Sequence, residues 1–262
     1  MTAVEASGRL HEFAAITLPE LIEQAALQTR VDRKYIVPAC DLDAVLADLD
    51  DATQVLEIDG NRDFLYESVY FDTPELTSYE MAAHGRRRRF KIRTRTYVDS
   101  DESYLEVKTR GARSSTVKDR IPYRPGDRRL LTREGLEYVD ETLALCGITG
   151  VDSARLEPTL STTYGRTTLY VPSSQSRATI DTNLGWHLPE TAGLDRPDIA
   201  IFETKSGSRA STVDRVLWDH GHRPATLSKY GTGLAALRED LPSNKWARVL
   251  HRQFDRPVSY AA

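Results

Sequence analysis

Five cationic side chains stand two residues apart in RRRRFKIRTRTY: Arg87, Arg89, Lys91, Arg93 and Arg95. Side chains of an extended strand alternate between its faces, so these five share one face while Phe90 and Ile92 lie on the other. Like charges packed so closely repel one another, and such a face calls for an anion or for acids interleaved from neighbouring strands. A solvated basic sheet surface is the alternative reading of this segment alone. Other extended segments repeat the pattern. Glu106, Lys108 and Arg110 oppose Leu105 and Val107, Glu203 and Lys205 oppose Phe202, and Asp32 shares a face with Lys34. Lys118 goes with Arg120, and Arg177 with Asp181. An acid-x-Lys pair therefore recurs three times on predicted strands, which is the expected pattern of strands lined with charge on one side and packed against helices on the other.

The chemistry such a lining suits is that of phosphate. A phosphate chain carries about one charge per unit, fixed cations replace its lost hydration, Arg adds bidentate geometry and Lys acts as a point charge. Acids on the same faces, Glu203 first and Glu106 and Asp181 after it, suit a hard divalent cation, Mn²⁺ or Mg²⁺, bridging phosphate oxygens. Each acid alone also reads as an ion-pair partner. Phosphoryl transfer needs positioning and charge neutralisation more than a reactive side chain.

Charge is unevenly placed along the 262 residues. Between Arg86 and Arg120 twelve Lys or Arg stand against five acids, in a chain whose net charge is −4. A local excess against the overall sign points to a concentrated anion as partner. Nucleic acid is disfavoured, because the cations alternate with apolar residues and the chain as a whole is acidic. No Walker or dinucleotide Gly-rich loop is present. His220-Gly221-His222 reads as a helix end, and Trp186, Trp218 and Trp246 as packing residues. Cys40 and Cys146 lack metal-type spacing and read as reduced thiols. No stretch of about 18 apolar residues and no signal-like start is visible, so the expected location is cytoplasmic and any membrane coupling would come through a partner protein.

The elements that must position these residues read as α+β. Thr17-Leu18-Pro19-Glu20 predicts a capped helix with Leu21, Ile22, Ala25 and Ala26 as its stripe. Asp41 is expected to cap a helix through Leu49. Strands are expected over 30–37, 65–71, 87–98, 103–110, 117–123, 155–164, 167–171, 177–181 and 199–205, with short antiparallel connections such as 99–102. Helices are expected over 133–145, 211–220, 231–239 and 245–253, and a loop over 189–197. A single domain is expected, with its core over about 28–236 and C-terminal helices over 237–256.

The ordered segments RVDRKYIV, SVYFDTPEL, KIRTRTY, YLEVKTR, KDRIPY, ATIDTNL, IFETKS and LSKYGTG resemble those of VTC domains, the polyphosphate polymerase type of triphosphate tunnel metalloenzyme. The resemblance covers about residues 28–236 and implies an eight-stranded antiparallel β-barrel, a tunnel for ATP or polyphosphate. It implies Lys34, Arg93, Arg95, Lys108, Lys118, Arg166, Arg177 and Lys229 as the phosphate-binding set and Glu203 as the metal-binding glutamate. Strand parity adds Arg120 and Lys205. Asp32 stands where the family usually has Glu. The implied activity is transfer of the γ-phosphoryl group of ATP to a phosphate chain. Inorganic triphosphatase and non-catalytic polyphosphate or nucleotide binder are the alternatives.

Overall fold

A computed structural model describes residues 8–24, 31–110, 116–189 and 193–254. The chain is α+β, an extensive, largely antiparallel sheet with helices. Its strands are β1 (Ala14–Ile16), β2 (Val31–Pro38), β3 (Gln54–Leu56), β4 (Phe64–Asp72), β5 (Phe90–Tyr97), β6 (Glu102–Arg110), β7 (Thr116–Tyr123), β8 (Glu157–Val171), β9 (Ser176–His187), β10 (Gly193–Arg196) and β11 (Ile199–Ser206). Its α-helices are α1 (Arg9–Glu12), α2 (Leu18–Gln24), α3 (Leu42–Ala47), α4 (Thr77–Ala83), α5 (Arg133–Leu145), α6 (Thr212–Asp219), α7 (Lys229–Leu237) and α8 (Ala247–Gln253). The pairings among the described residues do not close the sheet on itself. The chain divides into two compact units, one of Met1–Leu65, Tyr164–Gly185 and Asp195–Ala225, the other of Tyr66–Thr163, Trp186–Leu194 and Thr226–Ala262.

In the first unit the strand order is β2-β11-β9-β8. Tyr35, Val37, Leu169, Val171, Ala178, Ile180, Ala200 and Phe202 put one face of these strands into an apolar core beneath Leu42, Val45 and Leu46 of α3 and Val213 and Leu217 of α6. Asp214 locks this layer. Its buried carboxylate accepts from Tyr35 Oη at 2.7 Å, Thr204 Oγ1 at 2.6 Å and Ser211 N at 2.7 Å. Because Tyr35 and Thr204 are held on the helix side, their neighbours Lys34 and Glu203 must point the other way.

In the second unit β4-β5-β6-β7 run in sequence order with antiparallel pairing. Val69, Phe71, Phe90, Ile92, Leu105 and Val107 pack under Val139 and Leu143 of α5. Burying each such side chain contributes about 1.5–3 kcal/mol, which fixes the roll of the strands and hence the side on which their charges emerge. Helix α5 starts at a Thr132 cap that accepts from Gly135 N. Asp72, at the end of β4, is fully buried and accepts from Thr73 N, Ser78 N, Tyr79 N and Tyr230 Oη at 2.6–2.9 Å, tying α4 and α7 to the strand.

Several expected bounds move. The basic strand begins at Phe90, so Arg87 and Arg89 precede it and Arg86, Arg87 and Arg88 are exposed. The two strands expected over 155–171 are one, β8, running through Gly165. A Cβ there would meet Asp63 Oδ2 at 2.6 Å, so the glycine serves a close approach and not a break. Residues 193–196, expected as loop, form β10 on β9. Asp41 makes no side-chain cap; a 3-10 turn, Ala39–Asp41, leads into α3 instead. Thr17 and Glu20 exchange the expected capping bonds, but Ile22 is 62% exposed while Leu21 is buried. Ala25, Ala26 and Arg113 lie outside the described residues.

Candidate phosphate-binding faces

Each unit carries a charged strand face on the side away from its helices, and each face is built by register. In the second unit Lys91, Lys108 and Lys118 are consecutive register partners across β5, β6 and β7. The next row is Tyr70, Arg93, Glu106 and Arg120, and the one after it Ser68, Arg95, Tyr104 and Pro122. Directly opposed residues have Cβ atoms about 5 Å apart. Three lysines in line, flanked by three arginines, therefore surround one carboxylate.

That carboxylate is fully buried. Arg93 donates to Glu106 Oε2 from Nε at 2.8 Å and from Nη2 at 2.6 Å, and Lys118 Nζ lies 2.6 Å from Oε1. Burial pushes the Glu106 carboxyl up, but Arg93, Arg95, Lys108 and the Lys118 bond overcome it and hold the group well below the usual carboxylate range. Lys108 is held well below the ordinary lysine value, first by Arg93 and then by burial and Arg95. Burial likewise lowers Lys118. One acid does not neutralise the face. A phosphate chain would.

Aromatic rings complete it. Arg93 Nη1 donates to Tyr70 Oη at 3.1 Å, Arg120 stands 4.4 Å over the Tyr104 ring, and Arg95 stands 5.6 Å over Tyr66. These contacts hold guanidinium planes in place by cation–π attraction. Sequence reasoning missed Tyr66, Tyr70 and Tyr104. The signal was alternation in β4, where Tyr66 and Tyr70 oppose the core residues Val69 and Phe71, and the shared parity of Tyr104 with Glu106.

In the first unit Glu203 faces Lys34 on β2, and Lys205 faces Asp32 on β2 and Arg177 on β9. Lys34 Nζ lies 3.7 Å from Glu203 Oε2, and Lys205 Nζ donates to Glu203 Oε1. Arg166 clasps Asp181 with two bonds, 2.5 Å from Nε and 2.8 Å from Nη2, and lies over Tyr164. Burial would raise the Glu203 carboxyl, yet Lys34, Lys205 and Arg166 hold it well below the usual range. Burial lowers Lys205. Lys34, Arg166, Arg177, Asp181, Glu203 and Lys205 thus share this unit's face, while Arg93, Arg95, Glu106, Lys108, Lys118 and Arg120 share the other's. Lys229 opens α7 directly after its Ser228 cap, and its carbonyl accepts from Trp186 Nε1 at 2.9 Å.

No group of three or more His, Cys, Asp or Glu side chains gathers among the described residues. The three candidate metal acids differ in reach. The side chains of Glu106 and Asp181 are 0% and 1% exposed and bound by Arg, whereas Glu203 retains 20% exposure beside two lysines. Of the three, Glu203 is the acid left accessible to a divalent cation. His220 and His222 end α6 beside Asp48 and Asp41, as a helix-end pair. No helix among the described residues is long and apolar enough to cross a membrane.

Fold and faces together define an α+β protein whose largely antiparallel strands carry crowded cations on the faces turned away from the helices. The VTC domain model matches residues 29–238, and the chain belongs to that family. Among solved structures it is similar to a putative adenylate cyclase from Bacillus halodurans, with 12% identity, coverage of 76% of this chain and 94% of that one, and a TM-score of 0.50. It is also similar to a putative adenylyl cyclase from Hippeastrum described as having a dominant triphosphatase activity, with 12% identity, coverage of 78% and 94%, and a TM-score of 0.45. At such identity the likeness to the Bacillus halodurans protein bears on the fold alone. No curated protein matches the chain.

Proposed function

We propose that this chain is a metal-dependent polyphosphate polymerase of an eight-stranded tunnel fold, as membership of the VTC family implies. The observation that carries the reading is the pair of neighbouring rows, Lys91-Lys108-Lys118 beside Arg93-Glu106-Arg120, where Glu106 offsets part of the cationic charge and a dense anion would offset more. Arg93, Arg95, Lys108 and Lys118 hold the triphosphate of ATP. Arg166, Arg177 and Lys229 hold the accepting chain or the γ-phosphate, with Lys205 and Arg120 adding charge. A terminal phosphate oxygen of the chain attacks the γ-phosphorus, the bond from that phosphorus to the β–γ bridging oxygen breaks, and ADP leaves with the electron pair. No side-chain base is required, because a phosphate oxygen is already an adequate nucleophile. Mn²⁺ or Mg²⁺, held by Glu203 and phosphate oxygens, would supply further neutralisation of developing charge.

The test is product analysis with purified protein, ATP and Mn²⁺. ADP together with lengthening phosphate chains is the expected result. Free phosphate or pyrophosphate without chain growth would make the protein a triphosphatase on the same lining. Absence of both polymer and nucleoside diphosphate would sink the enzymatic reading and leave a binder.

A further inference from the structure

Beyond the implied phosphate set, the second unit contains a cavity of about 230 Å³ that the family residues do not account for. Five cations line it, Arg89, Lys91, Lys108, Arg110 and Lys245, together with Ser228 at the start of α7, and no Asp or Glu is among the lining residues. Only Lys108 belongs to the set carried by the resemblance. The cavity abuts the lysine row, since Lys91 and Lys108 line it and are register partners.

Its cations are positioned by the fold. Lys91 Nζ donates to Ser228 Oγ at 2.7 Å, the same oxygen that accepts from Gly231 N and caps α7. Lys245 Nζ donates to the Ala82 carbonyl at 2.6 Å, and Arg89 Nη1 donates to the Arg86 carbonyl at 3.1 Å. Carbonyl and hydroxyl partners thus orient these groups. Burial and then the Arg110 charge lower Arg89, and burial, Arg89 and Arg110 lower Lys245, so the cations crowd one another in a partly desolvated space. Among the described residues, no acid lines this cavity to relieve such crowding. Phe90 and Trp246 supply its apolar wall. A concave, cation-rich, acid-free space with fixed donors is the design of a condensed-phosphate site.

We propose that this cavity is an additional condensed-phosphate subsite, in which Arg89, Lys91, Arg110 and Lys245 hold phosphate units beyond those gripped by the family set. It rests on the phosphate reading of the adjoining face and deepens it. Phosphate reaches this cavity as the far part of a chain lying on the lysine row, not as a separate short anion.

The experiment measures binding of pyrophosphate, tripolyphosphate and a long linear polyphosphate to the full chain, to the Arg110→Gln/Lys245→Gln double variant and to an Arg110→Lys variant, each checked by thermal melting. Loss of about tenfold or more for the long chain, a change of less than about twofold for tripolyphosphate, and retention in Arg110→Lys are expected. If pyrophosphate also weakens and one site per protein disappears, the cavity is a condensed-phosphate site filled by a separate anion, and the chain assignment is overturned. Unchanged binding of every probe by folded variants overturns the subsite altogether. Should the double variant fail to fold, Arg89→Gln carries the same comparison. Wild-type protein that binds none of the probes would instead refute the phosphate reading of the neighbouring face.

Discussion

Replacing Glu106 by Gln separates two roles that a carboxylate in a phosphate site can have. Its side chain is 0% exposed and contacts Arg93 through two bonds at 2.6 and 2.8 Å and Lys118 at 2.6 Å. Removing one partner of such a buried network costs about 3–5 kcal/mol, and the amide oxygen of Gln retains part of the hydrogen bonding, so about 3 kcal/mol is expected. For a chain of this size that lowers Tm by about 6–12 °C without ligand. The same change removes a negative charge from the phosphate's surroundings. At about 6 Å and an effective dielectric constant of about 20, that charge opposes a bound phosphate by roughly 3 kcal/mol. Tripolyphosphate should therefore stabilise the variant more than the wild type, recovering much of the lost Tm. Because the surrounding cations outweigh burial and hold the Glu106 pKa below its unfolded value, its contribution is present above pH about 4.3 and is lost as pH falls toward the depressed folded value. The stability difference between wild type and variant should accordingly shrink in acid. Differential scanning fluorimetry over pH, with and without tripolyphosphate, reads all three quantities. A variant as stable as the wild type without ligand, or one with a smaller ligand-induced shift, would refute the counter-ion role; the smaller shift is what a metal ligand would produce.

Two further outcomes follow from the same packing and charge geometry. Lys108, held well below the ordinary lysine value by Arg93, burial and Arg95, deprotonates at lower pH than a free lysine. Binding a polyanion should take up a proton, and tripolyphosphate affinity should fall as pH rises through the lowered value. Lys108→Met should weaken binding roughly ten- to a hundredfold near neutral pH and lose that alkaline decline, as titration calorimetry in buffers of different ionisation enthalpy would show. In α7, a Cβ on Gly231 would meet Trp246 Cζ2 at 2.3 Å, so Gly231→Ala should cost about 1–3 kcal/mol in a denaturant melt, and an unchanged midpoint would contradict the packing of α7 against that ring.

The charged faces were legible because strand alternation is strict and their two sides differ so sharply in chemistry. Phe90, Ile92, Leu105 and Val107 are buried opposite Lys91, Arg93, Glu106 and Lys108 as parity requires. What stayed hidden depends on contacts between segments distant in sequence. Gly165 reads locally as a break, and only the approach of Asp63 explains it within a continuous β8. Four consecutive arginines look like strand, but Arg86–Arg89 precede β5, and Arg89 serves the cavity through its proximity to Arg110 and Lys245. Pairing with β9 makes β10 a strand that its composition does not announce. Asp41 has the right residue type for a cap, yet the preceding 3-10 turn takes that geometry.

The acids that interrupt these cationic faces also differ in what they can do. Glu106 and Asp181 are sealed by guanidinium groups, and a divalent ion reaching either would have to displace a buried Arg and leave it unpaired, at several kcal/mol. Glu203 is paired with flexible lysines, one of them at 3.7 Å, and retains exposure. Its lysines can swing onto phosphate oxygens when a chain arrives, because an ammonium on four methylenes loses little by changing partners. Phosphate entry would then free the carboxylate. Lys34, Lys205 and Arg166 keep that carboxylate ionised without ligand, and on the proposed role of Glu203 as the metal-holding acid, Glu203→Gln should abolish metal-dependent turnover while leaving ligand-free stability nearer the wild type than Glu106→Gln does.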